Sequence, residues 1–136
     1  MPVKKVSYVT LSVPQRAGRG AQILDALRAE GVDLTAFSGF PRGAGKAQVD
    51  LATDDLAGVR RVAKQEGWRL GGPKKAFVVQ GRNRVGAVHR VLAKLAKQGI
   101  NATAADAVAA GKGQFGMILW VKPKDYARAA RALGAR

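Results

Sequence analysis

Residues 86–101 read Gly-Ala-Val-His-Arg-Val-Leu-Ala-Lys-Leu-Ala-Lys-Gln-Gly-Ile-Asn, and residues 18–33 read Gly-Arg-Gly-Ala-Gln-Ile-Leu-Asp-Ala-Leu-Arg-Ala-Glu-Gly-Val-Asp. The two stretches lie 68 residues apart, half of a 136-residue chain. In that register Gly18 falls on Gly86, Ile23 on Val91, Leu24 on Leu92, Leu27 on Leu95, Gly31 on Gly99 and Val32 on Ile100, each pair keeping size or polarity. Apolar residues spaced three and four apart, closed by a glycine suited to a left-handed turn, predict helices over 20–30 and 86–98.

Working outward, the same offset puts Ala36 on Ala104, Val49 on Met117, Leu51 on Leu119 and Val62 on Ala130, which implies an ungapped duplication of one unit. Residues 6–13 are rich in β-formers and stop at Pro14, and residues 32–37 return as a strand. Gly39 to Gly45 is a turn region, after which Ala47, Val49 and Leu51 alternate with Gln48 and Asp50 as in a half-buried strand. Asp54 or Asp55 can cap a second helix carrying Leu56, Val59, Val62 and Ala63. Residues 68–70 make a short fourth strand, and Gly71-Gly72-Pro73 reads as a linker. The second unit repeats this with strands over 76–80, 100–108 and 114–121 and a helix over 124–133, then ends where its fourth strand would begin. Folded proteins cover or pair such an edge, so a neighbouring sheet or a second chain is expected there.

The order predicts an α+β fold of two tandem ferredoxin-like βαββαβ units, residues 1–72 and 73–136, with antiparallel sheets and helices on one face. On the other face Asp50 and Ala52 correspond to Ile118 and Trp120, so an exposed apolar pair is expected to form an interface in the second unit.

A composition 47% hydrophobic and 24% charged is that of a globular protein. The chain has no cysteine, which excludes disulfides and thiolate metal sites. No apolar run approaches the ~18 residues of a membrane span, and Met1-Pro2-Val3-Lys4-Lys5 leads into a strand-like stretch, so the expected location is cytoplasmic. Lysine and arginine number 24 against nine acidic residues, a formal charge of +15 that favours polyanionic partners. The basic residues are dispersed, with short clusters only at Arg60-Arg61 and Lys74-Lys75.

Residues 86–101 resemble the first helix and following strand of an ACT domain, in which a glycine opens the helix and a Gly-Ile-Asn segment follows it. Residues 18–33, ending Gly31-Val32-Asp33, are a second copy, and the resemblance covers nearly the whole chain. It implies a stand-alone, tandem regulatory module that binds an amino acid or similar small carboxylate between ACT-like units, as a homodimer with a possible protein target. The ligand would sit at the turn from first strand to first helix, where backbone N–H groups and the helix dipole face a carboxylate. That turn is Arg82, Asn83, Arg84, Val85 and Gly86 in the second unit and Gln15, Arg16, Ala17 and Gly18 in the first. Asn101 and Asp33, at the start of the next strand, would meet the ammonium or side chain. The residue before each glycine, a proline in many members, is Val85 and Ala17 here.

No residue pattern points to catalysis, a cofactor or a metal. The single histidine, His89, has no second histidine or cysteine to share a metal, and the glycine-rich segments fit neither the dinucleotide nor the Walker pattern. The alternative is electrostatic binding of nucleic acid, since RNA-recognition domains share this element order. Their aromatic stacking platform is missing: the open strand faces offer only Tyr8 and Trp120.

Overall fold

A computed structural model describes residues 2–136. In chain order the elements are β1 (Val3–Pro14), α1 (Arg19–Ala29), β2 (Ala36–Gly43), β3 (Lys46–Ala52), α2 (Leu56–Glu66), β4 (Leu70–Arg82), α3 (Ala87–Ala96), β5 (Ala102–Gly111), β6 (Gln114–Val121) and α4 (Tyr126–Leu133). The order βαββα occurs twice, with antiparallel strands; β4 closes the first ferredoxin-like unit and opens the second, whose fourth strand comes from the start of β1. One compact unit is Ser7–Lys74; the other joins Lys75–Arg136 to the chain's start, up to Val6.

In the first unit the strand order is β2, β3, β1 and the opening of β4. Val9, Leu11 and Val13 of β1 and Val49 and Leu51 of β3 share one face, and Ile23 and Leu27 of α1 and Val59 and Val62 of α2 pack upon it. The second unit repeats this with Phe77 and Val79 of β4, Met117 and Leu119 of β6, Val91 and Leu95 of α3, and Ala129, Ala130 and Leu133 of α4. Leu24 and Leu92 do not join these cores: they are 39% and 37% exposed at matching positions of the two helices.

The strands expected from Val32 and Ile100 begin later, at Ala36 and Ala102. Both residues are engaged in ending a helix, because the Val32 N–H donates to the Leu27 carbonyl and the Ile100 N–H to that of Leu95.

Gly71-Gly72-Pro73 is not a linker but lies inside β4, which begins at Leu70 rather than Trp68. A Cβ on Gly71 would stand 2.5 Å from Thr10 Oγ1, and one on Gly72 would stand 3.2 Å from the Tyr8 carbonyl. The glycines are there because β1 passes close by.

The open edge of the second unit is closed by the chain itself. Residues 3–6 lie beside β4, with the Gln80 N–H donating to the Pro2 carbonyl at 3.3 Å. Arg136 then pairs with the same segment: its N–H donates to the Val3 carbonyl at 3.0 Å and its carbonyl accepts from the Lys5 N–H at 2.9 Å.

The repeat register slips by one residue before the last helix. The Trp68 N–H bonds the Ala63 carbonyl and the Ala135 N–H bonds that of Ala130, so Ala63, not Val62, is the counterpart of Ala130. Pro123 opens a 3-10 turn at Pro123–Asp125 that replaces the cap used by α2, where the Asp55 side chain accepts from the Gly58 N–H.

Trp120 is only 8% exposed, so the expected exposed Trp-Ile pair does not form an open patch. Among the described residues no helix is long and apolar enough to cross a membrane.

Candidate functional site

The two strand-to-helix turns have the same construction. Gly18 and Gly86 both take the left-handed conformation, φ 86° and 82°, immediately before α1 and α3. A Cβ would meet no atom within 4 Å at either place, so the backbone angle alone calls for glycine. The Gln15 N–H donates to the Gly45 carbonyl and the Asn83 N–H to that of Gly113, both at 2.8 Å. Each turn is thereby tied to the hairpin of its own unit. The Arg19 N–H then bonds the Arg16 carbonyl, and the Ala87 N–H that of Arg84, which closes the turn from inside. Neither helix has a side-chain cap at its start.

A cavity of about 470 Å³ opens at this point in the second unit. Pro2, Gln80, Arg82, Arg84, Arg90 and Gln114 line it, with Ala87, the first residue of α3, in its wall. Strand pairing brings the polar side chains together: Arg82 of β4 stands opposite Gln114 of β6. Arg90 follows Ala87 by three positions and so returns to the same end and side of α3.

Of the residues expected at the turn, Arg82 and Arg84 line the cavity. Asn83 and Gly86 shape the turn beside it through backbone geometry, while Val85 projects fully into solvent. Asn101 is not brought to this turn within its unit. It follows the other end of α3, a ten-residue helix, so about 15 Å of helix separates it from Gly86. Asp33 stands in the same relation to Gln15, Arg16, Ala17 and Gly18 across α1, and what the fold uses there is its carbonyl, which accepts from Thr53 Oγ1 at 2.7 Å. Sequence reading placed Arg82 in the turn but missed Arg90, Gln80 and Gln114. The available signal was three arginines among residues 82–90.

Guanidinium groups stay charged at any physiological pH and present planar forks of donors. The cavity's charged lining therefore suits it to hold an anion. Among the described residues no three of histidine, aspartate and glutamate gather as metal ligands. His89 lies on the exposed surface of α3.

No family model matches the chain, and no curated protein matches it in sequence. Its fold does match solved structures. A protein of Bacteroides thetaiotaomicron is 16% identical with a TM-score of 0.79, over 97% of this chain and 87% of that one. The ligand-free regulatory subunit of aspartate kinase from Thermus thermophilus is 14% identical with a TM-score of 0.67, over 98% and 95% of the two chains. The corresponding subunit from Thermus flavus is 16% identical with a TM-score of 0.62, again over 98% and 95%. At such identities the likeness is one of fold.

Proposed function

We propose that the chain is a non-catalytic, tandem ACT-type regulatory module that binds an amino acid or similar small carboxylate at the start of α3. The cavity there carries the proposal. Its volume of about 470 Å³ suits a small molecule, and its arginines supply partners for a carboxylate. The fold likeness to aspartate kinase regulatory subunits supports a regulatory role.

Ligand contacts on Arg84, in the turn, and on Arg90, in α3, would couple the cavity to the backbone joining β4 to α3. Regulation then requires the ligand to favour one arrangement of that backbone over another. A second copy of the chain is the proposed partner: β5 is exposed along nearly all of its length and offers an edge on which strands can pair.

A thermal-shift screen of amino acids and simple mono- and dicarboxylates tests this. A ligand at 100 times its Kd adds about 2.7 kcal/mol of stability, enough for a clear rise in Tm. Arg84→Ala should abolish the rise and leave the ligand-free Tm in place. A screen in which no carboxylate raises Tm would end the proposal. The formal charge of +15 favours a second reading, electrostatic RNA binding, whose mark is an affinity that falls steeply with added salt.

A further inference from the structure

The charge lining the cavity is one-sided. Arg82, Arg84 and Arg90 are its charged residues, Gln80 and Gln114 its neutral polar ones, and no carboxylate lines it. Among the described residues none of the three guanidinium groups has a hydrogen-bond or ion-pair partner. A zwitterionic amino acid would bring an ammonium group into this setting with no anion to receive it, beside three like charges.

The first unit shows that the turn does not need this charge in order to fold. There the positions of Arg82 and Arg90 are held by Pro14 and Gln22, yet the turn keeps the same glycine conformation and the same backbone hydrogen bonds. Arg19 is the one basic residue at this turn without a basic counterpart in the second unit, where Ala87 stands, and its guanidinium donates to Gln22 Oε1 at 3.2 Å. Copies of one architecture thus differ in what they point at the corner, which separates Arg82 and Arg90 from any part in building it, while Arg84 keeps a basic counterpart in Arg16.

We infer that the cavity at the start of α3 selects a small dianion, a dicarboxylate or a phosphate-bearing acid, over a zwitterionic amino acid. The inference rests on the ligand site proposed above and narrows its ligand. Two negative charges match the guanidinium forks, and the Gln80 and Gln114 amides can donate further hydrogen bonds. The affinity for a phosphate monoester should fall as pH drops through about 6, where phosphoryl groups lose their second charge.

The test is calorimetric titration of the full chain with succinate, inorganic phosphate and alanine in ~150 mM salt, a near-physiological ionic strength. Succinate or phosphate should bind at least tenfold more tightly than alanine, and whichever of the two binds more tightly identifies the anionic group. Arg82→Ala and Arg90→Ala should each weaken that binding about tenfold without lowering the ligand-free Tm. Arg60→Ala/Arg61→Ala, on the exposed side of α2, should leave it within twofold. Equal loss in the α2 variant would assign binding to the protein's overall charge and overturn the inference. Alanine binding as tightly as the dianions would also overturn it while leaving the proposed function in place, and binding by none of the probes would remove both.

Discussion

Asp50 is a carboxylate at 6% exposure, paired across the strands with Thr10 and Ser38. Its Oδ1 accepts from Gln48 Nε2 at 2.8 Å, and Gln48 Oε1 in turn accepts from Arg42. Burial pushes its pKa above the ordinary carboxylate range, and the Gln48 hydrogen bond and the charges of Lys74 and Arg42 pull it back only in part. Between the unfolded and folded values the folded state therefore holds a proton that the unfolded chain has already released. Protonated Asp50 favours folding below the unfolded pKa, near 3.8, and that contribution is lost as pH rises through the folded value. Asp50→Asn removes the titration and keeps an acceptor for Gln48. It should be at least as stable as the parent at pH 7, with a urea midpoint that no longer declines above pH 4. A variant that keeps the parent's pH slope would place the titration elsewhere. Strand alternation put Asp50 on the side away from the helices, and it does lie there. Alternation could not report its burial, which comes with the gathering of Gln48, Arg42 and Lys74 around it.

The hairpins show how much of an element is written locally. Gly43-Ala44-Gly45 and Gly111-Lys112-Gly113 all take positive φ, 85°, 53° and 71° in one and 81°, 52° and 70° in the other. Pairing of Gly43 with Lys46 and Gly111 with Gln114 leaves two-residue connections of the kind that fits twisted antiparallel strands. Ala44 is the weak point, because a Cβ in the left-handed region costs about 1 to 2 kcal/mol. Ala44→Asn should recover about 0.5 to 1 kcal/mol of this, since asparagine tolerates the region, read as a higher urea midpoint at unchanged m-value. A lower midpoint would mean that the turn does not adopt this conformation in solution. The helices ended at Gly31 and Gly99 were legible because their signals lie within a few residues, whereas the turn expected over 39–45 narrows to Ala44-Gly45, because β2 runs on to Gly43. The turns before α1 and α3 were legible for the same reason. The cavity was not: it needs Gln114 beside Arg82, a neighbour supplied by pairing across 32 positions of sequence. Asn101 shows the complementary effect, in which a residue close to the motif in sequence is carried a helix length away within its unit.

At the scale of the whole molecule, duplication explains the parts, while the chain's start explains how the second copy is completed. A sequence divided at residue 72 leaves the second unit one strand short. The strand that fills the gap belongs to β1, whose residues 3–6 group with Lys75–Arg136. Val3, 6% exposed, lies in the same core as Phe77, Val79, Leu95 and Leu133, and its carbonyl accepts from Arg136, the chain's last residue. Local pattern gave no reason to expect this, since residues 6–13 carry the strand signal and Val3 is set among Pro2, Lys4 and Lys5. Position 3 should therefore behave as a core position. Val3→Ala should cost about 2 kcal/mol in urea unfolding, as deletion of buried methyl groups does. Val3→Asp should cost more, about 3 kcal/mol or above, by burying an unpaired carboxylate. The two variants fix the order of effects even if the aspartate chain fails to fold. A loss below about 0.5 kcal/mol for both, the usual range of surface changes, would show that the chain's start does not complete the second unit.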